Sequence, residues 1–187
     1  MISTLTKLRK STFVFLAFGL ILLSTVSFIS AEKEFKVYDV NGKKHKLNFS
    51  AKKQVIVLKG NISCNTCFKE LDNFFKEINF SDSTIKTISL SESNPVSLMS
   101  NYFTIKELMP NTSHHYFEAC KQINLFEEKL TKNGIFDYFK IDKTPEVLLI
   151  SKSGNVFLFD YFSIFDQGEI KESFRKSVSK FLNQPEE

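Results

Sequence analysis

The sequence predicts one α/β domain behind a short leader. Apolar runs of four to six residues alternate with segments whose apolar residues recur at helical spacing, from Phe35 to Leu182. Glycine (6) and proline (4) are scarce and mostly fall between those segments, where they mark turns. No repeat, low-complexity tract or linker divides residues 32–187, so they read as a single unit.

The leader comes first. Lys7, Arg9 and Lys10 precede an apolar run from Phe13 to Leu23, which continues in diluted form to Ile29. Ile29-Ser30-Ala31 resembles a small-residue cleavage site. Residues 1–31 are therefore expected to be a signal peptide or an N-terminal membrane anchor. The 17 residues from Phe13 to Ile29 sit at the lower limit of a span, so both alternatives stay open. Either one places residues 32–187 across the membrane from the basic end. No cysteine lies near the cleavage region, so a lipoprotein signal is not supported.

Three of the four net positive charges belong to this leader. From Glu32 onward 22 bases face 21 acids, which gives no polyelectrolyte character and argues against a nucleic-acid partner. Phenylalanine occurs 21 times and tryptophan not at all, so the core should be built of phenyl rings. Three cysteines are too few for a disulfide scaffold, and their spacing points to redox or metal chemistry.

Along the domain, Phe35 to Asp39 alternates as a strand, Asn41-Gly42 is a hairpin turn, and Lys44 to Phe49 returns. Gln54 to Lys59 holds the continuous apolar run Val55-Ile56-Val57-Leu58, suited to a central buried strand. A helix follows from about Asn65 to Ile78. Phe68, Leu71, Phe74, Phe75 and Ile78 line one face; Lys69, Asp72, Asn73, Lys76 and Glu77 line the solvent face. Ile85 to Leu90 is a strand and Val96 to Leu108 an amphipathic helix ended by Pro110. His115 to Ala119 reads as a short strand and Gln122 to Lys132 as a helix. Val147 to Ile150 is a buried strand after Pro145. Ser153-Gly154-Asn155 turns into its partner, Val156 to Tyr161, and a final helix runs from Glu169 to Leu182.

Cys64 and Cys67 stand at the start of the helix at Asn65. One turn brings two cysteines at this spacing within bonding distance. The first thiol meets unsatisfied helix N–H groups, where a thiolate is favoured. Cys64 is thus expected to attack a disulfide and Cys67 to resolve the mixed disulfide. Half of a zinc site and two inert buried cysteines are the rival readings. No second pair or histidine pair at finger spacing supports the zinc site. Thr144-Pro145 favours the redox pair. A cis X-Pro bond there would bring the chain against the thiols, and proline cannot ligate metal. Exposed backbone at Thr144 would then pair with an extended substrate peptide.

From Phe35 to Leu182 the chain resembles the thioredoxin-like family, in particular exported thiol–disulfide oxidoreductases of the TlpA/ResA type. The resemblance rests on the hairpin with Asp39-x-Asn41-Gly42-Lys43, and on Val55 to Leu58 leading to Cys64-Asn65-Thr66-Cys67-Phe68-Lys69-Glu70. It rests also on Thr144-Pro145 before Val147 to Ile150, and on Ser153-Gly154-Asn155. It implies a central mixed β-sheet flanked by helices, with an N-terminal β-hairpin and an inserted helical segment between Ser91 and Lys143. It also implies that Cys64 and Cys67 form the redox-active disulfide, that Thr144 and cis-Pro145 contact substrate, and that Glu70 lies near the thiols as a proton relay. The clients would be disulfide-containing proteins of a bacterial envelope. Electrons would come from a membrane thiol donor, with no bound cofactor. The family's Trp before the first cysteine is Ser63 here. Its proline within the dipeptide is absent from Asn65-Thr66, and Leu71-Asp72 stand where a helix-kinking proline commonly follows the glutamate. The direction of electron flow is therefore open.

An alternative is a non-catalytic thioredoxin-fold module that binds a partner, or copper through Cys64, Cys67 and a histidine. His114 and His115 are the candidates, although adjacent strand residues point to opposite faces. A peroxidase-like reading lacks its usual threonine, since Asn61 stands three residues before Cys64. Cys120 is expected to be a buried small residue. The segment from Tyr161 to Phe165 is expected to pack in the core rather than dock a partner. Asn48, Asn61, Asn79 and Asn111 begin glycosylation patterns that would matter only in a glycosylating route.

Overall fold

The computed structural model describes residues 34–49, 53–60, 63–78, 85–112, 114–124 and 127–183. The leader expected over residues 1–31 lies outside them. Among the described residues, no helix is long and apolar enough to cross a membrane.

The chain opens with β1 (Phe35–Tyr38) and β2 (Lys44–Leu47), an antiparallel hairpin. The Asp39 carboxylate closes its turn by accepting from the N–H groups of Asn41 and Lys43 at 2.9 and 3.0 Å. Gly42 supplies the positive φ of 76° that the turn needs. Next come β3 (Gln54–Lys59), α1 (Asn65–Glu77), β4 (Ile85–Ser91), α2 (Pro95–Leu108) and β5 (His114–Asn124). β3, β4 and β5 are parallel neighbours, as the intervening helices require. After β6 (Glu127–Leu130) and α3 (Ile135–Phe139), β7 (Glu146–Ile150) and β8 (Val156–Phe159) return antiparallel beside β3. The mixed sheet has the order β2-β1-β5-β4-β3-β7-β8, with β6 paired to β5. The chain ends with α4 (Tyr161–Ile164), a small hairpin of β9 (Phe165–Asp166) and β10 (Glu169–Ile170), and α5 (Glu172–Asn183).

All six residues of β3 are buried, so both faces of the sheet are covered. Val55, Val57, Val147 and Leu149 face a layer built from α1, the end of α2, and α5, with Phe68, Phe74, Phe75 and Phe174 among its rings. Ile56, Leu58, Leu148 and Ile150 face the other layer, which holds Phe35, Phe49 and the α3 residues Phe136 and Phe139. The phenylalanine-rich composition is thus spent on two cores.

Several expectations are corrected. Gln122 to Lys132 is not a helix. β5 continues to Asn124 and β6 pairs back on it, Cys120 opposite Leu130 and Lys121 opposite Lys129. The ladder between the end of β5 and β6 satisfies this backbone, and strand pairing overrides a weak helical pattern. The segment between Ser91 and Lys143 therefore holds strands and a short helix as well as α2. The final helix begins at Glu172, because Glu169–Ile170 pair with Phe165–Asp166. Gln167 and Gly168, at φ 49° and 90°, make the tight turn of that hairpin. β8 stops at Phe159, and Asp160 caps α4 by accepting from Ser163 N–H at 2.7 Å. Asp72 is buried rather than solvated and accepts from the Asn111 side-chain amide at 2.6 Å. Cys120 is half-buried.

Two buried contacts position the sheet ends. The Thr144 hydroxyl, just before β7, accepts from Gly60 N–H at 3.0 Å, just after β3. On β5, the Glu118 carboxylate accepts from Ile135 N–H at 2.5 Å and so caps α3. A Cβ on Gly134 would collide with that carboxylate. Burial pushes the Glu118 carboxyl up to about 7; the Ile135 and Phe136 N–H groups oppose the rise and Asp137 adds to it.

Two predictions follow from these contacts. Thr144→Val keeps the shape and removes the acceptor, leaving a buried N–H unpaired at a cost of about 1–3 kcal/mol. Urea denaturation of the oxidised protein should show the loss, and an unchanged midpoint would contradict it. For Glu118, the folded protein retains a proton that the unfolded chain loses above about pH 4.5. Its contribution is complete below that pH and is lost as the pH rises through 7. Glu118→Gln keeps an acceptor for Ile135 and cannot ionise. The stability of this variant relative to the parent should rise by on the order of 2–3 kcal/mol between about pH 4.5 and 7. Buried His115, held down at about 4, titrates with the opposite sign but cancels in that difference. A pH-independent difference would rule out the buried proton.

Candidate active site

The site forms where the end of β3 lies beside the start of β7. Cys64 is the N-cap of α1, with extended backbone (φ −85°, ψ 99°). Extended backbone at that position turns the chain from the loop into the helix. Cys64 and Cys67 are joined as a disulfide with their Cα atoms 5.3 Å apart. Cys67 N–H donates to Cys64 Sγ at 3.3 Å, so the helix start serves the first sulfur. Cys67 is fully buried among the rings of the α1 layer, and Cys64 is half-buried. The less buried cysteine is thus the one whose sulfur has a backbone donor, which suits it to attack.

The Thr144–Pro145 peptide bond is cis, as the family resemblance implies. Ser63 pairs with Thr144 in an isolated parallel bridge, and Cys64 N–H donates to the Thr144 carbonyl at 3.2 Å. Thr144 is buried, so its carbonyl serves the redox loop rather than standing open to a peptide. Sequence reasoning expected exposed backbone there. The difference arises because the same residue anchors Gly60 through its hydroxyl and Cys64 through its carbonyl.

Glu70 is exposed on α1, one turn beyond Cys67. Among the described residues no hydrogen bond or ion pair joins it to either sulfur. Another acid lies next to the cis proline. Glu146 is buried at the start of β7, opposite Leu58, and shares the strand face of Leu148 and Ile150. Burial, with Asp142 and Asp160 nearby, raises its carboxyl to about 7, against the opposing Lys143 and Asp142 N–H groups. That face belongs to the layer opposite Cys67.

Sequence reasoning missed one neighbour of the pair. Tyr161, first residue of α4, places its hydroxyl 3.5 Å from Cys67 Sγ. The following Phe162 is 59% exposed, with Lys143 Nζ 4.5 Å from its ring centre. Asp160, a helix-capping residue directly after a strand, was the available signal that the chain turns back at this point. Within the same segment Ile164 and Phe165 do pack in the core.

The histidines lie elsewhere. His115 is buried on β5, with Nδ1 2.6 Å from the Thr87 hydroxyl. β4 separates β5 from β3, which puts His115 about 10 Å sideways from β3. His114 is half-buried beside it on the opposite strand face. Among the described residues, no group of three His, Cys, Asp or Glu side chains could hold a metal ion.

No protein-family model and no curated protein matches the sequence. Solved structures do resemble the fold. The thioredoxin domain of a thiol-disulfide oxidoreductase from Bacteroides vulgatus superposes with a TM-score of 0.53 at 16% identity, covering 85% of this chain and 100% of that one. A thiol:disulfide interchange protein DsbE from Chlorobium tepidum gives 0.51 at 7% identity, covering 84% and 96%. An uncharacterised thioredoxin-like protein from Porphyromonas gingivalis gives 0.50 at 15% identity, covering 87% and 97%. At such identities the likeness concerns architecture. With the mixed sheet, the cysteine pair at the helix start and the cis proline beside it, the chain has a thioredoxin-like fold.

Proposed function

We propose that the protein is a thiol–disulfide oxidoreductase of the cell envelope, which reduces or exchanges protein disulfides through Cys64 and Cys67. One observation carries the proposal. The disulfide at the start of α1 joins a partly buried first cysteine to a fully buried second one, beside the cis proline. In the reducing direction the Cys64 thiolate attacks a client disulfide, bonds to one client sulfur and releases the other. Cys67 then attacks Cys64 Sγ, closes the intramolecular disulfide and releases the second client thiol. The client gains two electrons and the pair loses two. A membrane dithiol donor restores the reduced state. The leader expected over residues 1–31 supports the envelope location.

The client lies over Cys64 in this proposal, against exposed Lys143 and Phe162, with Pro145 shaping the floor. Glu70, exposed one turn beyond Cys67, relays protons between the pair and solvent.

Alkylation mobility shifts in redox buffers should show reversible two-electron oxidation, abolished by Cys64→Ser or Cys67→Ser. Cys67→Ser should also trap clients as mixed disulfides through Cys64. Thiols inert from roughly −350 to −100 mV would sink the proposal. Glu70→Gln should slow insulin-disulfide reduction by about threefold, well below the effect of a closely positioned general acid. An unchanged rate would remove Glu70 from the mechanism.

A further inference from the structure

We infer that the Tyr161 hydroxyl is the donor that sets the acidity of Cys67 and, through it, the reduction potential of the pair. The inference rests on the thiol–disulfide exchange proposed above.

The two sulfurs have different surroundings. Cys64 Sγ accepts from the Cys67 N–H, and the helix start favours its thiolate. That N–H is therefore spent on the first sulfur. Cys67 lies fully buried among Val55, Val57, Phe68 and Leu71, surroundings that disfavour a thiolate. Among the described residues, Tyr161 is the one hydrogen-bond partner of its sulfur outside the pair.

Tyr161 is held in place by its own short element. Asp160 caps α4, and the Tyr161 ring packs 5.3 Å from that of buried Phe165. Lys171 closes the far end, its N–H donating to the Ile164 carbonyl at 2.8 Å and its Nζ to the Phe162 carbonyl at 2.6 Å. The hydroxyl thus meets the sulfur without having to be ordered during the reaction.

A disulfide sulfur is a weak acceptor and a thiolate a strong one. The same O–H therefore stabilises the reduced pair more than the oxidised pair. When a donor dithiol reduces the pair, its thiolate attacks Cys64 Sγ, the S–S bond breaks and Cys67 leaves as a thiolate with the phenol donating to it; the donor's second thiol then displaces Cys64 and closes the donor's own disulfide. On reoxidation by a client disulfide, Cys67 re-forms the bond to Cys64 and the phenol reverts to its weaker contact. Tyr161 keeps its proton throughout. Its contribution moves the equilibrium toward the dithiol and makes the pair more oxidising.

The test compares the full-length protein with Tyr161→Phe, which keeps the ring and removes the donor. Equilibration with glutathione or dithiothreitol should move roughly three- to tenfold toward the disulfide in the variant. For a two-electron couple that is a fall of about 15–30 mV. Thiolate absorbance in a Cys64→Ser, Cys120→Ser background should titrate at higher pH once Tyr161 is Phe. Replacing Tyr161 with 3-fluorotyrosine strengthens the donor and should move the potential the other way. A purely structural tyrosine would not move the potential in opposite directions. If wild type cycles but all three proteins share one potential, and Tyr161→Phe leaves the titration unmoved, the inference fails alone. If wild type does not cycle at all, the proposed function fails with it.

Discussion

The site depends on one buried residue that joins two loops. Thr144 takes the Gly60 N–H on its hydroxyl and the Cys64 N–H on its carbonyl, while its own bond to Pro145 is cis. β3 and β7 are antiparallel neighbours, so the end of one meets the beginning of the other at a single edge of the sheet. Water is excluded there, and every N–H must find an acceptor in the protein. Thr144 supplies two acceptors from one position. The loop bearing Cys64 is thereby fixed relative to the sheet, and α1 starts where the sulfurs can meet.

Around that joint the two faces of the sheet have separate tasks. The α1 layer encloses Cys67 in phenyl rings and leaves Cys64 at its margin. The opposite layer holds two acids, Glu118 and Glu146, both raised to about 7 by burial. Glu118 has a structural duty at the start of α3. Glu146 follows the cis proline yet shares its face with Leu148 and Ile150, so the sheet itself stands between it and Cys67. The acid that the family resemblance brings to mind, Glu70, is on the correct helix but faces water. The hydroxyl that does reach Cys67 arrives from α4, 94 residues further along the chain.

Local patterns are short-range, and they succeeded wherever the structure is decided at short range. The hairpin at Asn41-Gly42, the six buried residues of β3, the apolar stripe of α1 and the turn at Gly154 are each set by neighbours a few residues apart. So is the placement of the two cysteines one helical turn apart. Gln122 to Lys132 failed because β6 folds back on the end of β5, so the backbone bonds there run between strands rather than along a helix. Asp72 was misplaced because the pattern marks a polar residue as solvent-facing, whereas Asn111 from the loop after α2 covers it with an amide.

By itself, the sequence determined an α/β chain with a Cys64–Cys67 pair at a helix start and a proline edge to meet it. Those features follow from periodicity, capping and the restricted geometry of X-Pro bonds. Only the tertiary structure decided that Thr144 turns its carbonyl inward to the redox loop, that the histidines stay two strands away, and that Tyr161 reaches the buried sulfur. The physical reason is the same in each case. A pattern states which side of an element is apolar, but which polar group covers a buried sulfur is settled when distant elements close over it.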